Sequence, residues 1–499
     1  MSKFEKWLGR TAYQIIPDRF FRKGAKLKPM EGRVIKKWND DEPNWKPNEY
    51  GIYENNYFYG GNLKGIMAKL EYLKLLGFDM IYLTPIELSN NYHHYDVGDQ
   101  STIDPWIGDW DDFAELCKKA HELDILIMVD LVFNHTSTKS KYYNDPRYSS
   151  WYKKDEEGQQ IFWWNFLDMA EVDTKNKDYQ ETMLSVTESY LSYGADGIRL
   201  DLGENLSKEF LLNLQKIKKK HPQAICVGEM WGIATDKDDP KILDGQLDSV
   251  MNYPMADAIL RWTRYGNVEK FNNTFDRINK EYPEDVKNVL LNNVGTHDTP
   301  RTITMLEGDK MSEHKDFIWD IEESWRHGEN FDTYQFRKFE ADNDEIDRIH
   351  YMIGEMLTKV ALTIMYCLPG IPCVMYGTEL GETGYKDPFN RKPYNWKKEN
   401  KDMTEFVSRL GIFRRANKDI LATGKANIIK CDKNILILDR FNEKGQHLYI
   451  AVNRASHGKD IDLREYFDED LRDCRIAFAT ENSSRDYLTP YGILVIRKD

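Results

Sequence analysis

Eight short runs of apolar and β-branched residues recur along the chain, at 11–17, 78–84, 126–131, 197–201, 224–229, 249–252, 288–293 and 371–377. Between them lie stretches with helical spacing of apolar residues, at 62–76, 109–123, 178–193, 205–220, 268–281 and 343–367, with another at 401–417. Strands that alternate with amphipathic helices predict a parallel sheet covered by helices, and eight of them predict an α/β fold of the TIM (β/α)8 barrel type. Gly77 reads as the C-cap of the first helix and Asp109 or Asp111 as the N-cap of the second. In such a barrel the strand-to-helix loops build the working face, so the strand ends are where chemistry is sought.

After about residue 420 the pattern changes. The segments 435–441, 447–453, 475–479 and 492–496 alternate like strands and are separated by turn residues, which predicts a C-terminal antiparallel β-sandwich domain. The expected organisation is a catalytic barrel over 1–418 and a sandwich over 419–499. Two connections are too long to be simple loops. One is an excursion at 136–177 after the third strand. The other is an insertion at 306–341 after the seventh, rich in aromatic residues (Phe317, Trp319, Trp325, Phe331, Tyr334, Phe336) and holding a Trp325-Arg326-His327 cluster. Both are expected to overhang the barrel mouth.

Charge narrows the function classes. With 69 Lys and Arg against 83 Asp and Glu, the net charge is −14, and a phosphate-backbone partner, which needs a basic footprint, is excluded. No run approaches the roughly 18 apolar residues of a membrane span, and the start MSKFEKWLGR has no apolar signal core. Six cysteines (Cys117, Cys226, Cys367, Cys373, Cys431, Cys474) are scattered without a C-x-x-C pair and read as reduced thiols, so a cytoplasmic location is expected. Aromatic residues make up 13% of the chain, many of them in polar, turn-like segments: Trp45, Tyr50, Tyr53, Tyr57, Tyr59, Trp106, Trp110, Trp163 and Trp164. Aromatic faces on loops suit sugar rings, whose C–H groups stack on a π surface while their hydroxyls need hydrogen bonds.

The strand ends carry acids. The third run ends in Asp130-Leu131-Val132-Phe133-Asn134-His135, the fourth is Gly197-Ile198-Arg199-Leu200-Asp201, the fifth ends in Gly228-Glu229-Met230-Trp231, and the seventh leads into Gly295-Thr296-His297-Asp298. Side chains two apart on a strand share a face, so Arg199 and Asp201 both point into the barrel. The guanidinium is expected to lower the Asp201 pKa and keep it anionic, as a nucleophile must be. Glu229, buried and close to other acids, is expected to hold a proton as a general acid. One ionised and one protonated carboxyl flanking a glycosidic oxygen is the arrangement for double-displacement hydrolysis with retention. Asp298, His135 and His297 can then bond sugar hydroxyls more tightly as positive charge develops at the reacting carbon.

DLVFNH at 130–135, GIRLD at 197–201, GEMW at 228–231 and NVGTHD at 293–298 resemble, in order and strand position, the four signature segments of the α-amylase family of glycoside hydrolases. YQIIPDRF at 13–20, FYGGNLKGI at 58–66, MNYP at 251–254 and PGIPCVMYGTELG at 369–381 are similar to its neopullulanase and cyclomaltodextrinase branch. The resemblance implies Asp201 as nucleophile, Glu229 as acid/base and Asp298 as transition-state stabiliser. It implies Asp130, Arg199, His135 and His297 as contacts of the sugar at the cleavage point, Tyr95 as its stacking platform and His93 beside it. Trp231 and Glu204 join this set on the leaving-group side, although Glu204 equally suits capping the next helix. Asn134 resembles a position that binds calcium in many members, so a structural calcium is left open while the chemistry requires no cofactor. The implied substrate is an α-1,4-linked glucan: malto-oligosaccharide, cyclodextrin, pullulan or starch fragment. The alternatives are an α-glucosidase or 4-α-glucanotransferase on the same scaffold, or a non-catalytic carbohydrate-binding barrel.

Overall fold

The computed structural model describes residues 3–499 apart from 25–26, 39–43, 50–52, 239, 308–333, 343 and 467–473. Eight parallel strands form one sheet: β1 (Ala12–Ile15), β2 (Met80–Leu83), β3 (Leu126–Leu131), β4 (Gly197–Leu200), β5 (Ile225–Gly228), β6 (Ser249–Val250), β7 (Leu291–Asn292) and β8 (Ile371–Met375). Their spatial order is β6-β5-β4-β3-β2-β1-β8-β7. A parallel bridge between Met251 and Leu291 joins the two ends and completes the ring.

Alternation along each strand sorts the side chains. Ile81, Leu83, Ile127, Val129, Ile198, Leu200, Cys226 and Val374 point outward into the main core beneath the helices. Ala12, Met80, Leu126, Met128, Ile225 and Val227 point inward, where Trp7 from the N-terminal segment closes the lower end of the barrel. Gly197 belongs to that inward series because the Trp7 ring takes the space: a Cβ there would lie 2.8 Å from it. One step further along the same strands the inward positions are Gln14, Tyr82, Asp130, Arg199 and Glu229, so the lumen turns from apolar to charged toward the C-terminal rim.

Helix Val268–Glu281 occupies its expected span, and Asp109 caps helix Trp110–Glu122 by accepting from the Asp112 N–H at 2.8 Å. Expected helix 62–76 is two pieces, Leu63–Met67 and Leu70–Leu75, broken where Lys69 leaves the helical region. Helix Tyr253–Tyr265 was not foreseen. Its Pro254 reads as a breaker, but in the first turn proline loses no helical hydrogen bond. The excursion after β3 forms a small ribbon, His135–Ser137 against Met169–Glu171, before helix Lys177–Ser192 begins. Of the insertion after β7, Phe317, Trp319, Trp325, Arg326, His327 and Phe331 lie outside the described residues.

The C-terminal sheet is antiparallel: β9 (Lys425–Cys431), β10 (Ile435–Phe441), β11 (His447–Asn453), β12 (Arg475–Ala479) and β13 (Ile493–Lys498), in the order β9-β10-β11-β13-β12. One face, including Leu436, Leu438, Ile450 and Val495, joins the main core. The other, including Ile437, Tyr449, Leu494 and Ile496, packs with Leu488 from a two-stranded ribbon that forms the thin second layer. All six cysteines are free, five of them buried, and among the described residues no helix is long and apolar enough to cross a membrane.

Candidate active site

The register of β3, β4 and β5 builds the centre of the site. Arg199 lies opposite Asp130 on β3 and Val227 on β5, so its inward guanidinium reaches carboxylates from three strand ends. Its Nη1 donates to both Asp130 oxygens at 2.7 and 2.8 Å and to Asp201 Oδ1 at 3.1 Å, and its Nη2 lies 2.9 Å from Glu229 Oε2. The turn after Asp201 presses against the end of β5: a Cβ at Gly203 would lie 2.9 Å from Gly228 Cα, so only glycine fits. Leu202, at φ 48°, is held in the left-handed region, and its N–H donates to Glu229 Oε2 at 2.9 Å. That conformation costs on the order of 1–3 kcal/mol at a non-glycine residue and ties the ends of β4 and β5 together. Trp231 Nε1 donates to the other oxygen of Glu229 at 3.1 Å, and its ring stacks on Tyr253 at 3.9 Å.

Depth is graded. The side chains of Asp130 and Arg199 are fully buried, those of Glu229 and Asp201 are 5% and 9% exposed, and that of Asp298 is 23% exposed at the mouth. Asp298 accepts from Tyr253 Oη at 3.3 Å and lies 3.5 Å from Arg391 Nη2. Burial raises the pKa of all three candidate catalytic acids. Asp201 is pushed well above the usual carboxylate range, first by burial and next by the charge of Glu229; Glu229 is raised by burial and Asp298, against Arg199; Asp298 is raised by burial, against Arg391. The expected lowering of Asp201 is therefore corrected. The guanidinium is shared among three carboxylates, and the single 3.1 Å contact that Asp201 receives does not offset its desolvation.

The imidazoles are neutral. Burial lowers His93 to about 3 and His135 to about 4, and burial followed by Arg391 takes His297 well below its ordinary value. A relay orders them: Gln14 Nε2 meets His297 Nδ1 at 2.7 Å, His297 Nε2 meets Tyr95 Oη at 2.5 Å, and Tyr95 Oη donates to Asp130 Oδ2 at 2.8 Å. The Gln14 amide donates to Nδ1, which puts the imidazole proton on Nε2. The Tyr95 ring lies parallel to His297 at 5.2 Å, and its N–H donates to His93 Nδ1 at 3.0 Å. His135 Nε2 lies 3.1 Å from the Tyr95 carbonyl, while its ring stacks on Trp163 at 5.4 Å. Trp164 stacks on Trp163 in turn and stands 46% exposed, so an aromatic tier rises from His135 along the excursion.

The expected site residues therefore gather, with two qualifications. Asp130 spends its oxygens on Arg199, Tyr82 and Tyr95, one layer beneath the opening. Glu204 sits half-buried in the turn that follows Asp201, but the next helix is capped by Ser207. Of the loop aromatics expected to meet sugar, Tyr57 and Tyr59 instead pack around the Arg19 guanidinium, and Trp106 is buried against Phe58. Sequence reasoning missed Gln14, Tyr82, Tyr253 and Arg391. Gln14 and Tyr253 fall in quoted motifs, and the inward alternation of β1 and β2 would have found Gln14 and Tyr82. Arg391 comes from the irregular segment after β8, where no periodicity points to it.

Calcium takes about six to eight oxygen ligands. Asn134 offers a buried amide with neither atom partnered, yet among the described residues no group of three or more His, Cys, Asp or Glu is arranged to hold a metal. The chemistry derived below uses no metal.

The family profile described as "Alpha amylase, catalytic domain" matches residues 14–165 and 144–321. A cyclomaltodextrinase of Thermoanaerobacter pseudethanolicus is 30% identical over 474 residues, 91% of this chain and 71% of that protein. Neopullulanase 2 of Thermoactinomyces vulgaris is 27% identical over 474 residues, covering 91% of this chain and 70% of that protein. Among solved structures, the cyclic α-maltosyl-(1→6)-maltose hydrolase of Arthrobacter globiformis, in complex with cyclic α-maltosyl-(1→6)-maltose, superposes over the whole of both chains with a TM-score of 0.78 at 21% identity. That last likeness is one of fold.

Proposed function

The chain belongs to the α-amylase family of glycoside hydrolases, and from that premise we propose that it cleaves α-1,4-glucosidic bonds in malto-oligosaccharides, cyclodextrins or pullulan with retention at the reacting carbon. One observation carries the reading: Asp201 and Glu229, from two neighbouring strand ends, meet the one buried guanidinium of Arg199, and Asp298, from a third strand end and paired with Arg391, is close enough for its charge to raise both of them. In the first step Glu229 gives its proton to the glycosidic oxygen while Asp201 Oδ attacks the anomeric carbon. The C–O bond to the leaving sugar breaks and a glycosyl ester on Asp201 forms. In the second, ionised Glu229 takes a proton from water, whose oxygen attacks the same carbon and frees Asp201.

The coupled acids make this proton traffic cheap. Burial and mutual charge raise all three acids, which favours keeping a proton within the cluster, and the one reactive arrangement has it on Glu229. Asp298 stabilises the positive charge that grows at the reacting carbon. Neutral His93 and His135, each engaged through one ring nitrogen, bond sugar hydroxyls through the other without repelling that charge, while neutral His297 holds Tyr95, whose ring is the platform. Asp130 acts through Arg199 and Tyr95 as a positioning residue. Free thiols support a cytoplasmic location.

Transfer to a second sugar shares the same ester, and the Trp163–Trp164 tier beside His135, with Trp164 exposed, favours it as the second reading, because a stacked acceptor competes with water. Maltotriose, cyclodextrin and pullulan incubated with the protein test both. Reducing ends released from all three support hydrolysis, products longer than the substrate support transfer, and binding without turnover on any of them refutes the enzymatic reading.

A further inference from the structure

The outer wall of the barrel carries a groove that the catalytic chemistry leaves unused. It follows the seam between helix Trp110–Glu122 and helix Lys177–Ser192 and consists of two depressions, of about 540 and 520 Å³, with Tyr193 as their shared wall. Both are shallow and open to solvent. Helical spacing explains its polar side. Positions 178, 181, 182, 185 and 189 share one face, and all are polar. Thr182 and Ser189 donate back to the carbonyls of Asp178 and Ser185 at 3.0 Å, which leaves their oxygens as acceptors. Glu181 is exposed and makes no hydrogen bond or ion pair with the described residues.

The opposite side is aromatic. Trp110 packs against Tyr193 with ring centroids 4.9 Å apart and against the buried Tyr190 at 4.7 Å. Its indole N–H is already given to the Ser101 carbonyl at 3.3 Å, and Tyr193 is 43% exposed. No Lys or Arg lines the upper depression. A bound anion would meet two carboxylates, and an apolar segment would strip water from a polar helix face without replacing its hydrogen bonds. A neutral polyhydroxylated ring satisfies both sides, its C–H face on the aromatics and its hydroxyls donating to Asp178 and Glu181. The upper end also lies against the excursion that walls the catalytic mouth, since Trp151 Nε1 donates to Asp178 Oδ2 at 2.7 Å.

We propose that this groove is a second carbohydrate site that holds a short stretch of α-glucan chain and keeps a long substrate near the catalytic cleft by raising its local concentration. The choice of α-glucan as ligand rests on the function proposed above. The test uses the full chain with Asp201→Asn, alone or combined with Tyr193→Ala or Ser185→Arg, run on native gels containing soluble starch. The first change removes the stacking face, and the second fills the groove from an exposed helix position. Each should weaken retardation by starch about three- to tenfold, an effect the size of one lost aromatic contact. In the active background, kcat/KM on maltotriose, which is too short to span both sites, should be unchanged. Retardation equal to the parent in both variants overturns the proposal, as does a loss that falls equally on maltotriose turnover. So does a change from dimer to monomer with retardation intact, because the face would then serve self-association. If the parent is retarded through Tyr193 but the active protein turns over no glucan, the groove stands and the hydrolytic reading fails; turnover with retardation indifferent to both variants gives the reverse.

Discussion

Arg391→Met tests whether charge at the rim sets the acid limit of activity. Arg391 Nη2 lies 3.5 Å from Asp298 Oδ1. Two unit charges at that distance attract by about 5 kcal/mol at an effective permittivity of about 20. Asp298 is 23% exposed, and Arg391 is shared with Asp387 at 3.6 Å, so solvent and sharing reduce the differential effect to roughly 1.5–3 kcal/mol. That corresponds to a fall in kcat/KM of about ten- to a hundredfold. Burial already raises Asp298, and Arg391 is the largest opposing influence, so its loss moves Asp298 higher still. Asp298 must be ionised to stabilise positive charge; activity is therefore present above its folded pKa and lost as pH falls through it. The acid limb of kcat/KM on maltotriose should move to higher pH. The turn itself should hold, because Asn390 Nδ2 still donates to the His297 and Thr299 carbonyls at 2.8 Å. A uniform drop at every pH with an unmoved acid limb, or no drop, would refute the electrostatic argument.

Asp201→Asn should cut turnover by at least about a thousandfold while sparing oligosaccharide binding. It should also raise the melting temperature: the folded pKa of Asp201 is raised, so stability is lost as pH rises through it, and a neutral amide removes that loss. The gain should be full above the raised pKa and should vanish below the ordinary carboxylate range, and a melting temperature no higher than the parent at alkaline pH would contradict it. Glu229→Gln should slow natural α-1,4 substrates far more than activated aryl glycosides, whose leaving groups need no proton; equal losses on both would remove Glu229 from the acid role. Dialysis against a chelator should leave kcat unchanged, and a lost rate restored by calcium alone would show that Asn134 belongs to a metal site after all.

Much of the site was legible because its residues sit on strands. Period-two alternation puts Asp130, Arg199, Asp201 and Glu229 on the lumen face whatever the loops do, and a charged residue at an inward position of a barrel has few uses besides chemistry. The same rule applied to β1 and β2 reaches Gln14 and Tyr82. Arg391 and the outer groove escaped because neither follows from one segment's pattern. Arg391 arrives from irregular chain after β8, and the groove exists only where two helices distant in sequence lie side by side. Trp106, Tyr57 and Tyr59 looked like loop aromatics and proved to be packing, since polarity of the neighbouring residues says nothing about which way a ring turns.

The order of the strands and of most helices, the barrel that follows from it and the identity of the acids at its rim were determined by local sequence alone, because hydrophobic period and side-chain alternation are properties of a few consecutive residues. The ionisation of those acids was decided by the tertiary structure. Asp201 and Arg199 are two residues apart and read as a simple ion pair, yet folding brings Asp130 and Glu229 to the same guanidinium and excludes water from all of them. A pKa depends on every charge and every lost solvent contact around the group, and those are assembled only when the separate strand ends meet.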